Sequence, residues 1–347
     1  MMSGHRIVVI GASAGGVEAL LTVVKGLPVD FPAAIFVVLH VSPLSRSVLP
    51  ALLSRAGWLP AVHPKDREPI QLGRIYVAPP DYHLIVKRGH IRLTRGPKEN
   101  GHRPAADPLF RTAAAAYGPQ VVGVVLSGTR DDGTAGLKEI QKAGGVTIVQ
   151  DPGNAAYPGM PQSAISAMKV DYIVSAEALP TTLQELAHDP VEDETEWAIP
   201  DFSDPDVAEL EGAQLDDFRP LGIPSSYVCP DCGGVLWETE QKGLVHFRCR
   251  VGHAWGPESL LEEQAESLEE ALWVALRALE DNASLARRIA KGAHERAHDV
   301  LAGRFERQAA DIQRRAGIIR KLLAKGVTGE SEQKGEPPNS QSGLSET

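Results

Sequence analysis

All three cysteines of the chain fall in one short stretch. Cys229-Pro-Asp-Cys232 is followed, after sixteen residues, by Cys249-Arg-Val-Gly-His253. A C-x2-C knuckle and a C-x3-H pair supply three thiolates and one imidazole, the donor set of a closed tetrahedral zinc site. A closed shell leaves no position for water, so a zinc held here is expected to be structural. His246 is an alternative fourth ligand, less favoured because it falls inside the hairpin expected from Val235–Glu238 and Val245–Arg248. The plain alternative is three buried cysteines and a surface histidine. A redox role for the C-x-x-C needs a thioredoxin-like context, and the company of Cys249 and His253 argues against it. Arg248 and Arg250 are too small a basic footprint for nucleic acid.

A second set of reactive residues is dispersed. Gly11-Ala12-Ser13-Ala14-Gly15-Gly16 follows one apolar run, His40 follows another, and Ser127-Gly128-Thr129-Arg130-Asp131-Asp132-Gly133 follows a third. A serine hydroxyl becomes a nucleophile when a histidine takes its proton, and the histidine needs an acid to fix its tautomer. Glycines around Ser13 allow a sharp turn, and amides opening the next helix could hold an oxyanion. Each piece has a plainer reading. The glycine-rich turn could cradle phosphate, although Ser13 stands where a dinucleotide fingerprint has its second glycine. Asp-Gly is also a common turn.

The elements that must position these residues alternate between strand and helix over residues 5–188. Apolar runs at Arg6–Ile10, Ala33–Leu39, Gln120–Leu126, Val146–Val149 and Tyr172–Val174 read as buried strands. They are continuous rather than alternating, as strands covered on both faces are. Ile75–Ala78, His83–Lys87 and Ile91–Thr94 are shorter strands, the last two a hairpin. Val17–Val24, Leu49–Leu53 and Asp107–Tyr117 read as helical, the last with Asp107 as N-cap. The expected fold is α/β, a doubly wound, mainly parallel sheet. In such sheets ligands bind beyond the carboxyl ends of the strands, where Ser13, His40 and the Asp131-Asp132 pair converge.

Six ordered segments carry a family resemblance: Ile10–Leu20 (IGASAGGVEAL), Val37–His40 (VVLH), Ile75–Leu84 (IYVAPPDYHL), Ala106–Ala114 (ADPLFRTAA), Val124–Leu137 (VVLSGTRDDGTAGL) and Ile148–Ile165 (IVQDPGNAAYPGMPQSAI). Together they resemble the catalytic domain of the chemotaxis methylesterase (CheB) family. The resemblance implies a serine hydrolase that demethylates glutamate methyl esters on chemoreceptors, releasing methanol; some members also deamidate receptor glutamines. It implies Ser13 as nucleophile, His40 as base and Asp132 as acid, with Asp131 the adjacent competitor. It implies no cofactor for the hydrolysis itself. Ala14 stands where many members have Thr, and Thr129 where many have Met, both in loops beside the reacting ester. Only four residues precede His5, so the phosphoacceptor receiver domain typical of these enzymes is not expected in this chain, and control is expected from elsewhere on the chain or from a separate regulator. A ribbon-plus-helix appendix resembles that on some methylesterases without a receiver.

The chain has 347 residues and a net charge of −10. Twelve acidic residues and no Lys or Arg lie between Asp189 and Asp217, and the rest of the chain carries +2. The acidity therefore belongs to one segment. The expected organisation is residues 1–188 as catalytic domain, 189–220 as acidic solvated linker, 221–256 as zinc ribbon, 257–326 as helical hairpin or coiled coil, and 327–347 as disordered tail. From Pro257 to Asp281 there are eight acidic residues and one basic, and from Arg287 to Lys325 eleven basic and four acidic. An antiparallel hairpin, or an antiparallel dimer, would juxtapose them. Leu261-Leu268-Ala275 and Ala265-Leu272-Leu279-Ala286 lie at heptad spacing, and the basic half is a candidate for docking on acidic receptor helices. No apolar stretch is long enough to span a membrane, and three cysteines are too few for a disulfide framework, which suits the cytoplasm. Two other functions stay open on sequence alone: a catalytically reduced scaffold of this fold, and a nucleotide-binding α/β protein.

Overall fold

The computed structural model describes residues 6–44, 47–189, 207–209, 222–241 and 243–326. It divides into two compact units, Met1–Leu261 and Glu262–Thr347.

Seven strands form the main sheet: β1 (Ile7–Ala12), β2 (Ala34–Leu39), β3 (Ala61–Val62), β4 (Arg74–Val77), β7 (Val121–Val125), β8 (Val146–Gln150) and β9 (Tyr172–Val174). Their order is β3-β4-β2-β1-β7-β8-β9, with every pair parallel. The chain winds outward from β1 on one side and returns to β7 on the other. The switch point therefore lies at the carboxyl ends of β1, β2 and β7, where such folds open a crevice.

Alternate residues of β1 enter two separate cores. Val8 and Ile10 pack with α1 (Gly16–Gly26), α2 (Leu49–Ala56) and α6 (Leu179–His188), through Leu20, Val23, Leu53 and Leu183. Ile7 and Val9 pack with α3 (Ala106–Tyr117), α4 (Thr134–Lys142) and α5 (Gly159–Ala167), through Phe110, Leu137 and Ala164. The hairpin of β5 (His83–Lys87) and β6 (His90–Thr94) closes over α3, and the turn between them is Arg88-Gly89.

Three expectations need correction. Asp107 does not cap α3; the cap position is Ala105, and Asp107 turns inward to accept from the Gly136 N–H at 2.7 Å. β9 is an edge strand among the described residues, not a buried one, with Tyr172 40% and Ile173 49% exposed. The acidic segment is not wholly solvated. Residues Val207–Glu209 form a 3-10 turn in which Ala208 is buried, its carbonyl accepting from Thr94 Oγ1 and Glu209 pairing with Lys87 at 2.6 Å. The remainder, 190–206 and 210–221, lies outside the described residues, as does the tail 327–347.

The second sheet of the first unit is antiparallel, β10 (Ile223–Val228), β11 (Val235–Gln241), β12 (Leu244–Cys249) and β13 (Ala254–Trp255). Its core is Leu236, Phe247 and Trp255, with Cys229, Cys249 and Leu260. It is not a detached module: the backbone of β13 bonds to the main domain, Asn100 N–H to the Ala254 carbonyl at 2.8 Å and Ala254 N–H to the Lys98 carbonyl at 3.2 Å.

Two helices follow, α7 (Pro257–His294) and α8 (Asp299–Lys325). In the second unit they run antiparallel. Arg320 pairs with Glu280, Arg287 Nη1 donates to Gln313 Oε1 at 3.2 Å, and His294 Nε2 meets Glu306 at 3.0 Å. Of these contacts, the Arg320–Glu280 pair joins the basic stretch to the acidic one. The expected line through Leu279 and Ala286 is in part interior, Ala286 being buried, beside a second buried line of Leu276, Ala283 and Ala290; Ala302, Ala309 and Ala316 of α8 are buried at the same seven-residue spacing. Leu261 and Leu268, of the other expected line, are 70% and 51% exposed. Among the described residues no helix is long and apolar enough to cross a membrane.

Candidate active site and candidate metal centre

The three strand ends at the switch point carry the expected residues. Ser13 leaves β1 in a turn held by its N–H donating to the Ser127 carbonyl at 2.9 Å and by the Gly16 N–H donating to the Ser13 carbonyl at 2.9 Å. Gly15 makes that turn possible. Its φ is +70°, and a Cβ there would lie 2.7 Å from Ser127 Oγ and 2.8 Å from Ala156 Cβ. The amides of Ala14 and Gly15, just before α1, donate to no acceptor among the described residues. They open a helix whose amino-terminal end favours negative charge. Ser13 Oγ likewise makes no hydrogen bond among the described residues.

His40 follows β2, its N–H donating to the Ala12 carbonyl at 3.1 Å. Its Nε2 lies 2.7 Å from Asp132 Oδ2. An ionised carboxylate can only accept, so Nε2 carries the proton, which in the neutral ring leaves the lone pair on Nδ1.

Asp132 is 1% exposed, and four donors are hydrogen-bonded to its carboxylate. Oδ2 accepts from His40 and from the Ala106 N–H at 2.6 Å. Oδ1 accepts from Asn100 Nδ2 at 2.9 Å and from the Asp107 N–H at 3.2 Å. Burial alone would raise its pKa, but the bond and charge interaction with His40, then the Ala106 and Asn100 donors, outweigh it and hold the carboxyl well below the usual range. Asp107 goes the other way: burial and then the Asp132 charge push its carboxyl well above that range. The two neighbouring carboxyls are thus pushed in opposite directions, Asp132 toward the charged form and Asp107 away from it.

Asp131 points elsewhere. Its carboxylate accepts from the N–H groups of Glu258 and Ser259, each at 3.2 Å, and from the Ser259 hydroxyl, capping the amino-terminal end of α7.

The spacing of motifs gave no sign of His102 or Asn100, both in the loop between β6 and α3. The His102 ring stacks on His40, centroids 3.8 Å apart. Burial, then the proximity of His40, lowers its pKa to about 3, so it stays neutral at ordinary pH. A stacked neutral ring fixes the plane of His40 without adding charge. Only the tertiary contact, not a residue pattern, reveals this role.

The four expected metal ligands also converge. The donor atoms of Cys229, Cys232, Cys249 and His253 all lie within 4.8 Å of one another. Cys232 and Cys249 Sγ are 3.7 Å apart, and His253 Nδ1 is 3.7 Å from Cys229 Sγ and 3.6 Å from Cys249 Sγ. A tetrahedral zinc with bonds of about 2.3 Å to sulfur and about 2.0–2.1 Å to nitrogen needs edges of about 3.8 Å and about 3.6 Å. The donor set fits a metal of this kind. The Trp255 indole N–H donates to Cys229 Sγ at 3.4 Å, an outer hydrogen bond of the sort that orients ligands. His246 is not among the converging ligands; burial, and then Arg248, lower its pKa to about 4.

Residues 8–183 match the family model described as CheB methylesterase. The chain belongs to the CheB methylesterase family. Among its relatives is a putative protein-glutamate methylesterase/protein-glutamine glutaminase of Leptospira interrogans, 38% identical over 176 residues that make up 50% of this chain and 91% of that protein. A protein-glutamate methylesterase/protein-glutamine glutaminase of Anaeromyxobacter dehalogenans is 39% identical over 52% of this chain and 53% of its own length. The crystal structure of the CheB methylesterase catalytic domain of Thermotoga maritima superposes with a TM-score of 0.51 at 35% identity, covering 52% of this chain and 98% of that one. The CheB domain thus accounts for the α/β part of the chain; the cysteine-bearing sheet and the two long helices lie outside the family match.

Proposed function

We propose that this chain hydrolyses glutamate γ-methyl esters on chemoreceptors, with Ser13 as nucleophile, His40 as general base and Asp132 as the orienting acid. The observation that carries the assignment is the 2.7 Å bond between His40 Nε2 and the buried Asp132 carboxylate, at the strand end next to Ser13. Ser13 Oγ attacks the ester carbonyl as its proton passes to His40 Nδ1. The tetrahedral oxyanion is held by the free amides of Ala14 and Gly15. Collapse breaks the C–O bond to the methoxy group, which takes the proton from Nδ1 and leaves as methanol. Water then attacks the glutamyl-serine ester, gives its proton to Nδ1, and Ser13 recovers it as the glutamate carboxylate departs. Asp132 stays ionised and stabilises the imidazolium in both half-reactions. The same steps on a glutamine side chain release ammonia, so deamidation is part of the proposal.

The proposal extends to the chain's organisation: a catalytic domain through residue 188, an acidic linker, a ribbon holding zinc as a structural metal, and the helical hairpin. A cytoplasmic setting suits three cysteines that converge as ligands and form no disulfide. The test is methanol release from a methylated receptor fragment. Wild type is expected to release it and Ser13→Ala to release none above background. Equal release by the two proteins would overturn the assignment.

A further inference from the structure

The cysteine-bearing sheet reaches the catalytic acid through one side chain. Asn100 Nδ2 donates to Asp132 Oδ1 at 2.9 Å and to Asp107 Oδ2 at 3.1 Å, while Asn100 Oδ1 accepts from the Gly256 N–H at 2.7 Å. Asn100 is 2% exposed and adopts a left-handed backbone, φ 52°. Its own N–H bonds the Ala254 carbonyl. Gly256 follows Trp255, whose indole N–H bonds the Cys229 ligand sulfur. A continuous line of hydrogen bonds and one peptide therefore runs from Cys229 through Trp255, Gly256 and Asn100 to Asp132 and His40.

Two further contacts brace the same junction. Glu99, 1% exposed, takes the Arg111 guanidinium of α3 on both oxygens, at 2.8 and 2.9 Å, and receives Arg248 of β12 at 3.3 Å. Asp131, next to the acid in sequence, caps α7 immediately after the ribbon. At Gly256 any side chain would collide with the Asp131 carboxylate, so the ribbon and the acid loop are in direct packing contact.

We propose that Asn100 is a positioning residue for the esterase, and that the metal-bound ribbon holds it in place, so that catalytic turnover depends on a metal that takes no part in the chemistry. The argument rests on the reading of Asp132 as the acid. An Asn amide cannot rotate freely here. Its oxygen faces a donor on the ribbon side and its NH2 faces two acceptors on the catalytic side, so both ends are specified. If the ligands separate, β12 and β13 lose their anchor, the Gly256 N–H withdraws, and Asn100 is held from one side only. A displacement of the acid of the order of 1 Å can cost about a hundredfold in rate. Binding of a small ester, which touches none of these residues, should change little.

The test uses the full-length chain, zinc-loaded or stripped with a chelator. It measures kcat and KM for a small ester, and the low-field proton resonance of His40 Nε2–H, assigned by its loss in Asp132→Asn. Stripping is expected to lower kcat about ten- to a hundredfold at near-constant KM, to broaden or shift the resonance, and to be reversed by added zinc. Asn100→Ala is expected to bind zinc, to show the same fall in kcat, and to lose less than about twofold more on stripping, since coupled groups do not add. Unchanged kcat and resonance in stripped wild type would overturn the proposal. So would a loss on stripping as large in Asn100→Ala as in wild type. Should Asn100→Ala fail to fold, the wild-type comparison with and without zinc decides alone. Full activity of Asp132→Asn would instead remove the reading of the acid itself, a result independent of the metal.

Discussion

Replacing Asp132 by Asn separates the two adjacent carboxylates. The two oxygens of Asp132 face four donors: His40 Nε2 and the Ala106 N–H on one, Asn100 Nδ2 and the Asp107 N–H on the other. An Asn amide has one oxygen for these two sides. If its NH2 takes the Oδ2 side, it opposes the Ala106 N–H and must donate to His40 Nε2, which moves the histidine's proton to Nδ1, the atom needed as base. If the NH2 takes the Oδ1 side, it opposes Asn100 and Asp107 donors, and the imidazolium loses its anionic partner either way. Each buried donor left unmatched costs about 1–3 kcal/mol. Loss of the acid's charge in a serine triad costs about four orders of magnitude in kcat, or about 5 kcal/mol of barrier. Asp131→Asn keeps a good helix cap at the start of α7, so its kcat is expected within about tenfold of wild type, since a sound cap holds α7 much as before. Steady-state hydrolysis of a small ester, with methanol release from a receptor fragment alongside, compares the two. An Asp131→Asn enzyme as impaired as Asp132→Asn refutes the reasoning.

Ser13→Ala and His40→Ala are each expected to lower kcat by roughly a thousandfold or more, and the double variant by little further, because triad members act as a unit; additive losses would contradict this. One zinc per chain is expected by elemental analysis, lost when Cys232→Ser removes a ligand. Its affinity should weaken as pH falls, because the ligands bind deprotonated, and without metal the Cys249 hydrogen bond and then burial push the Cys229 thiol up to about 11. The pH dependence of unfolding should carry the mark of His102. Burial lowers its folded pKa to about 3, so below about 6.5 the unfolded chain takes up a proton that the folded chain refuses. Stability is then full above about 6.5 and falls as pH drops toward 3; in His102→Phe that part of the loss should be absent from denaturation curves. Arg320→Ala, at an exposed pair with Glu280, is expected to cost less than about 1 kcal/mol of stability, and a larger loss by thermal melting would show that the pair is more than a surface contact.

Much of the architecture is written locally. The unbroken apolar runs of β1, β2, β7 and β8 follow from burial on both faces, which is a property of composition over five or six residues. The ligand spacings of Cys229, Cys232, Cys249 and His253 follow from how far a tight turn can carry a donor atom, again a local matter. The order of Ser13, His40 and the Asp131-Asp132 loop along the chain, each after a strand, sufficed to bring them to one rim. What sequence could not settle depends on contacts between residues far apart. Asp131 and Asp132 are neighbours of the same type, and only the positions of His40 and of the start of α7 separate their roles. β9 is apolar enough for a buried strand, but its exposure depends on what packs on the sheet faces at that edge, which local composition does not fix. The sequence offered two heptad lines on α7; Ala286 of one is buried, while Leu261 and Leu268 of the other are exposed, and burial depends on what packs against each face rather than on apolarity alone. Asn100 and His102 belong to no motif. Their place beside Asp132 and His40 comes from the loop between β6 and α3 being pinned by Glu99, Arg111 and the backbone of β13, contacts that span up to about a hundred and fifty residues and that no local pattern encodes.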